Sequence, residues 1–104
     1  MIGILKKFFG SGAKVDYRDL LDRGAIIVDV RTKGEYQSGH IRGSINMPLE
    51  SLDKNISKLK KGNCIITCCA SGMRSAAAAR IMKLNGYKEV YNGGGWKSLQ
   101  NKID

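Results

Sequence analysis

CIITCCASGMRSAAAARIM, residues 64–82, passes from an apolar run into a helical pattern through a few small residues. Cys64 to Cys68 is apolar almost throughout, which suits a strand covered on both faces. Ala76 to Ala79, Ile81, Met82 and Leu84 continue as a helix that Gly86 closes. Upstream, Ala25 to Val30 repeats the buried-strand pattern. Between the two strands lie a capping box at Thr32 and Glu35, for a short helix stopped near Gly39, and a helical spacing of Leu49, Leu52, Ile56 and Leu59 broken at Gly62. Asp16 caps a first helix ending at Arg23. Downstream, Glu89 to Tyr91 reads as a third strand, Gly93 to Gly95 as a flexible turn, and Trp96, Leu99 and Ile103 as the apolar side of a last helix. Strands alternating with helices specify a parallel α/β sheet. Residues 13–104 form one domain, and residues 1–12 fall outside the rhythm as a tail or short helix.

With 104 residues, 42% of them hydrophobic, the chain has the composition of one soluble domain. No stretch approaches the ~20 apolar residues of a membrane span. The apolar start, Met1 to Phe9, is broken by Lys6 and Lys7 and lacks a cleavage site, which argues against export. It reads as an extra packing element rather than a membrane-surface segment. Net charge is +9, yet residues 16–53 carry five bases against seven acids, leaving +11 on the rest. Such a field favours anionic partners. Basic residues without interleaved aromatics or a zinc motif argue against nucleic acid. Three cysteines, Cys64, Cys68 and Cys69, crowd into six residues, an odd count unsuited to a disulfide framework. They point to a reducing cytoplasm. Their spacing and the single His40 offer no metal set, and no cofactor motif is present.

The chemistry concentrates after the second strand. In an open parallel sheet ligands bind beyond the carboxyl ends of the strands, where Cys69 falls. Ala70, Ser71, Gly72 and Ser75 are small enough for the backbone to curl and aim its amides inward as an anion nest. The following helix start and Arg74 add positive potential. A free thiol of pKa about 8.5 is roughly 3% ionised at pH 7. Lowering that pKa by about two units multiplies the thiolate about 25-fold but costs roughly six- to tenfold in nucleophilicity. The cradle therefore serves mainly to hold and orient an anion.

Three segments in order resemble the rhodanese (sulfurtransferase) family: DVRTKGEYQSGHIRGSINMP at 29–48, CASGMRS at 69–75, and GYKEVYNGGGW at 86–96. The resemblance implies a rhodanese-like α/β fold, a mostly parallel sheet of about five strands with helices on both faces. It implies that Cys69 attacks the sulfane sulfur of thiosulfate or a similar small anionic donor, and that the backbone of Ala70, Ser71, Gly72, Met73, Arg74 and Ser75 holds the resulting persulfide. Arg74 would also bind the donor's sulfonate end. Cyanide or a thiol would accept the sulfur. The alternative is a sulfur carrier loaded by a protein such as a cysteine desulfurase, with little thiosulfate turnover. A non-catalytic interaction module is a third reading, against which the intact loop argues.

Four residues separate Cys69 from Arg74, whereas related phosphatases and arsenate reductases use five to enclose a tetrahedral anion. The shorter loop favours sulfur. Cys68 points to the opposite face of the strand and is expected in the core with Cys64. The family resemblance gives His40 a structural role, bonding local backbone. Arg31 and Glu35 are expected to pair with each other, and Trp96 either borders the pocket or packs the last helix.

Overall fold

The computed structural model describes residues 14–104; the expected tail or helix at 1–12 lies outside them. Asp16 accepts the Asp19 amide at 3.0 Å and starts α1 (Tyr17–Asp22). Then follow β1 (Ile26–Asp29), α2 (Lys33–Ser38) and β2 (Ile45–Asn46). Next come a 3₁₀ turn (Leu49–Ser51), α3 (Leu52–Asn55), a second 3₁₀ turn (Ile56–Lys58), β3 (Ile65–Cys69), α4 (Met73–Leu84), β4 (Val90–Gly95) and α5 (Trp96–Ile103). The helix expected after Pro48 is thus split between α and 3₁₀ turns. It still buries Leu52, Ile56 and Leu59 at the spacing read from the sequence.

Among the described residues all strand pairs are parallel, in the order β2-β1-β3-β4, four strands where about five were expected. The chain leaves β1 to one side for β2 and crosses to the other for β3. That reversal is the switch point at which open α/β sheets bind ligands, and the carboxyl ends of β1 and β3 flank it. Side chains alternate across the sheet as a strand requires. Val28, Ile65 and Cys69 face one core layer, closed by Leu52, Ile56, Ala78, Ala79 and Met82 from α3 and α4 with their flanking turns. Ile27, Ile66 and Cys68 face the other, closed by Leu20 and Leu99 from α1 and α5. Both faces are covered, which explains the uninterrupted apolar runs of β1 and β3. Leu84, on the outer side of α4, is 81% exposed and takes no part in either layer.

The glycines expected to form a flexible turn are the second half of β4 instead. A Cβ on Gly93 would sit 2.8 Å from the Thr67 carbonyl oxygen and 2.9 Å from side-chain atoms of Ile66 and Leu99. The strand therefore approaches β3 and α5 more closely than any side chain permits. This approach brings the end of β4 beside the loop that leaves β3.

Candidate active site

Cys69 ends β3, a strand buried at all five positions, and is itself only 1% exposed. The chain turns through Ala70 and Ser71 to Gly72, whose φ of +107° is a left-handed conformation that glycine adopts without strain. This turn folds the start of α4 back over the sulfur. The Gly72 amide donates to Cys69 Sγ at 3.0 Å and the Ser75 amide at 3.3 Å. The Ser75 hydroxyl oxygen lies 3.4 Å from the same sulfur. Thr67, one residue pair back on β3, donates its hydroxyl to the Ser75 carbonyl at 2.8 Å and pins the helix to the strand.

Two opposed influences act on the Cys69 thiol. Burial pushes its pKa up; hydrogen bonds from the Ser75 side chain and from the Ser75, Gly72 and Ser71 amides outweigh burial and leave it below the ordinary value. The cradle therefore acts chiefly through dipoles. The other two cysteines move the opposite way: burial drives Cys68 up to about 12 and raises Cys64. All three are unpaired. Alkylation rates mapped to Cys69 should accordingly titrate with a midpoint below that of an unperturbed thiol. A midpoint at or above that value would mean that burial prevails.

Of the loop residues singled out from sequence, Gly72 and Ser75 donate amide hydrogen bonds to the sulfur, and the Ser71 amide adds to the lowering of its pKa. The amides of Ala70, Met73 and Arg74 are not among its partners. Met73 is 80% exposed at the start of α4. Arg74 reaches away to Glu35, with Nη1 2.7 Å from Oε1 and Nη2 3.0 Å from Oε2. Glu35 also completes its capping box, accepting the Thr32 amide at 3.0 Å. Held first by Arg74 and then by the Thr32 amide, its carboxyl falls to about 2. The expected Arg31–Glu35 ion pair is thus replaced. Asp29 and Arg31, two apart on one side of the extended chain, pair instead, with Nη2 2.8 Å from Oδ2. Arg31 donates to the Glu35 carbonyl at 3.2 Å and the Gly39 carbonyl at 2.6 Å, and lies 4.7 Å over the Trp96 ring. It ties β1 to the loop after α2.

His40 donates through Nδ1 to the Tyr36 carbonyl at 2.7 Å and stacks on the Tyr36 ring, the structural role expected of it. Cys68 packs on the opposite face from Cys69, with Cys64 against the same cluster. Of the two alternatives for Trp96 the packing one holds: it packs against that cluster, and the surface cleft it borders with Arg31, Glu35, Ser38, Gly39 and Lys97 includes no residue of the Cys69 loop. A second cleft, of about 190 Å³, is lined by Val30, Thr32, Pro48, Leu49, Glu50 and Arg74. Among the described residues no three of His, Cys, Asp and Glu converge as metal ligands would, and no helix is long and apolar enough to cross a membrane.

Sequence reasoning missed Asn92. Its Oδ1 lies 2.6 Å from the Ser75 hydroxyl and accepts the Gly94 amide at 3.0 Å, while its Nδ2 donates to the Gly72 carbonyl at 3.3 Å. An available signal was its place directly after Glu89 to Tyr91, the run the sequence marks as a strand, since ligands gather beyond the carboxyl ends of strands.

The sequence matches the rhodanese-like domain over residues 14–102. It is 41% identical over 71 residues to the putative sulfur carrier protein YrkF of Bacillus subtilis, covering 68% of this chain and 38% of YrkF. It is 34% identical over 74 residues to the thiosulfate sulfurtransferase PspE of Escherichia coli, covering 69% and 71%. The chain spans between 38% and 65% of the length of the two Bacillus subtilis relatives it matches. The solved structure of an E. coli rhodanese with anions superposes with a TM-score of 0.67 at 33% identity, over 71% of this chain and 89% of that one. Fold, loop and sequence agree, and the chain belongs to the rhodanese-like family.

Proposed function

We propose that this chain transfers a sulfane sulfur through a persulfide on Cys69, from thiosulfate or a similar donor to a nucleophilic acceptor. One observation carries the reading: the Gly72 and Ser75 amides converge on the Cys69 sulfur within a loop that has four residues before Arg74. In the first step the Cys69 thiolate forms a bond to the outer sulfur of thiosulfate. The bond to the sulfonate sulfur breaks, and sulfite leaves with the electron pair. The persulfide extends about 2 Å beyond Sγ, toward the first turn of α4, where the Met73 and Arg74 amides have no intrahelical acceptor. In the second step cyanide or a thiolate takes the outer sulfur, and Cys69 departs as the thiolate it was. Splitting one transfer in two is covalent catalysis. Arg74 serves the donor's sulfonate by exchanging Glu35 for it. The unpaired cysteines suit a reducing compartment such as the cytoplasm.

A second reading, a carrier loaded by a protein such as a cysteine desulfurase, is favoured by the engagement of Arg74 with Glu35, since a protein donor needs no cation beside the sulfur. The likeness to YrkF supports it as well. Intact mass after thiosulfate treatment, beside loading by a desulfurase with cysteine, separates the two. We expect a one-sulfur adduct with both donors and sustained cyanide turnover with thiosulfate. An adduct from the protein donor alone would leave the carrier reading standing, and none from either would end both.

A further inference from the structure

The Ser75 hydroxyl has one hydrogen and three neighbours that want it. Asn92 Oδ1 is 2.6 Å away, the Gly72 carbonyl oxygen 3.1 Å and Cys69 Sγ 3.4 Å. The shortest contact takes the hydrogen while Cys69 is a neutral thiol. The hydroxyl then offers its oxygen to the sulfur, and the thiol hydrogen points at Ser75. A chain runs from Sγ–H to Oγ–H to Asn92 Oδ1. The orientation of the Asn92 amide follows from its partners: the Gly94 amide demands an oxygen on one side, and the Gly72 carbonyl demands the NH₂ on the other.

We propose that Asn92 is a positioning residue that acts on Cys69 through Ser75, holding the hydroxyl hydrogen away from the sulfur while it is protonated and releasing it when the sulfur becomes an anion. This rests on reading Cys69 as the reacting sulfur. On ionisation the S–H bond breaks, the proton passes to water, and the electron pair stays on sulfur. The Ser75 O–H bond stays intact and only turns, because a hydrogen bond to a charged acceptor outweighs a neutral one. Asn92 Oδ1 then keeps the Gly94 amide and is not left unpartnered. The same turn would serve each time the charge on Cys69 appears or is discharged, so that the hydroxyl supports thiolate and persulfide without competing for the thiol.

The other groups near Cys69 are fixed in pairs or turned away. Arg74 on α4 is held by Glu35 on α2, Arg31 is held by Asp29 at the end of β1, and Cys68 faces the opposite layer. None of them is bonded to Ser75 Oγ or to the Asn92 side chain, so the arrangement turns on those two residues and the Gly72 and Gly94 backbone.

The test is the pH midpoint of Cys69 alkylation, measured without any sulfur donor, in the wild type and in Asn92→Ala, Asn92→Asp, Ser75→Ala and Ser75→Ala/Asn92→Ala. Asn92 is exposed, so its removal leaves both core layers intact. Asn92→Ala removes the competitor that favours the thiol, and the midpoint should fall by roughly half to one pH unit, the equivalent of one neutral hydrogen bond. Asn92→Asp keeps the acceptor and adds charge, and the midpoint should rise. In the Ser75→Ala background, Asn92→Ala should have no further effect. If Asn92 merely anchored the loop through the Gly72 carbonyl, both Asn92 variants would raise the midpoint and the effect would persist without Ser75. That pattern, or an unchanged midpoint in Asn92→Ala, overturns the proposal. Failure of the sulfur-transfer reading would show separately, as the absence of an adduct in wild-type protein treated with thiosulfate.

Discussion

Cys69→Ser should carry no added sulfur after thiosulfate treatment and should show cyanide turnover at the level of the uncatalysed reaction, while Cys68→Ser keeps both. The substitution changes one atom in a site that otherwise stays filled. A hydroxyl oxygen at the end of β3 can still accept the Gly72 and Ser75 amides that now meet the sulfur at 3.0 and 3.3 Å. The fold survives and the nucleophile is lost, since an alcohol is scarcely ionised at neutral pH and does not form a stable bond to sulfane sulfur. The neighbouring thiol offers no rescue. With its pKa at about 12, Cys68 is ionised in only about one molecule in 10⁵ at pH 7. It is also fully buried on the opposite face of the sheet. Intact mass and turnover on the two variants decide the matter. An adduct that persists in Cys69→Ser and disappears in Cys68→Ser would remove the basis of the proposed function.

The strands that build this site were legible because both faces of β1 and β3 are covered, which writes them as unbroken apolar runs. The capping box at Thr32 and Glu35 was legible because it is a contact between near neighbours. What escaped depends on distant parts of the chain. β2 pairs only Ile45 and Asn46 with β1, too few residues to display a period. Gly93 to Gly95 look like a turn by composition, yet they belong to a strand because Thr67, Ile66 and Leu99 leave no room for a Cβ at Gly93. The choice among Asp29, Arg31, Glu35 and Arg74 as charge partners is set by which side of each element faces the switch point. Glu35 and Arg74 lie 39 residues apart, and no local spacing announces their pairing. Asn92 was hidden for a further reason: its importance comes from the hydroxyl it holds, not from any motif of its own.

That pairing sets up the second large effect. Arg74→Ala should raise the KM for thiosulfate about tenfold, while loading by a protein donor loses much less. A hydrogen bond to a charged group is worth about 1.5–3 kcal/mol when shielded, and Arg74 is 35% exposed, which places it at the lower end. The difficulty is that Arg74→Ala also strips Glu35 of its main partner, so a loss could reflect a loosened α2 rather than a missing anion site. Glu35→Gln resolves this. Glutamine still accepts the Thr32 amide and completes the capping box, while the Arg74 charge loses its carboxylate. If Arg74 serves the donor's sulfonate, the two variants move KM in opposite directions, up for Arg74→Ala and down for Glu35→Gln. If the pair only braces the loop, both weaken thiosulfate use alike. Acid provides the same switch in the wild type. Because Glu35 is lowered from 4.5 to about 2, its pairing stabilises the fold fully above pH 4.5, and that contribution is lost as pH falls toward 2. Denaturation midpoints should therefore drop over that interval in the wild type by more than in Glu35→Gln, which has no carboxyl to protonate. Equal acid sensitivity in the two proteins, together with a KM that rises in both, would assign the Arg74 guanidinium to the scaffold and leave the small-anion donor without a cation.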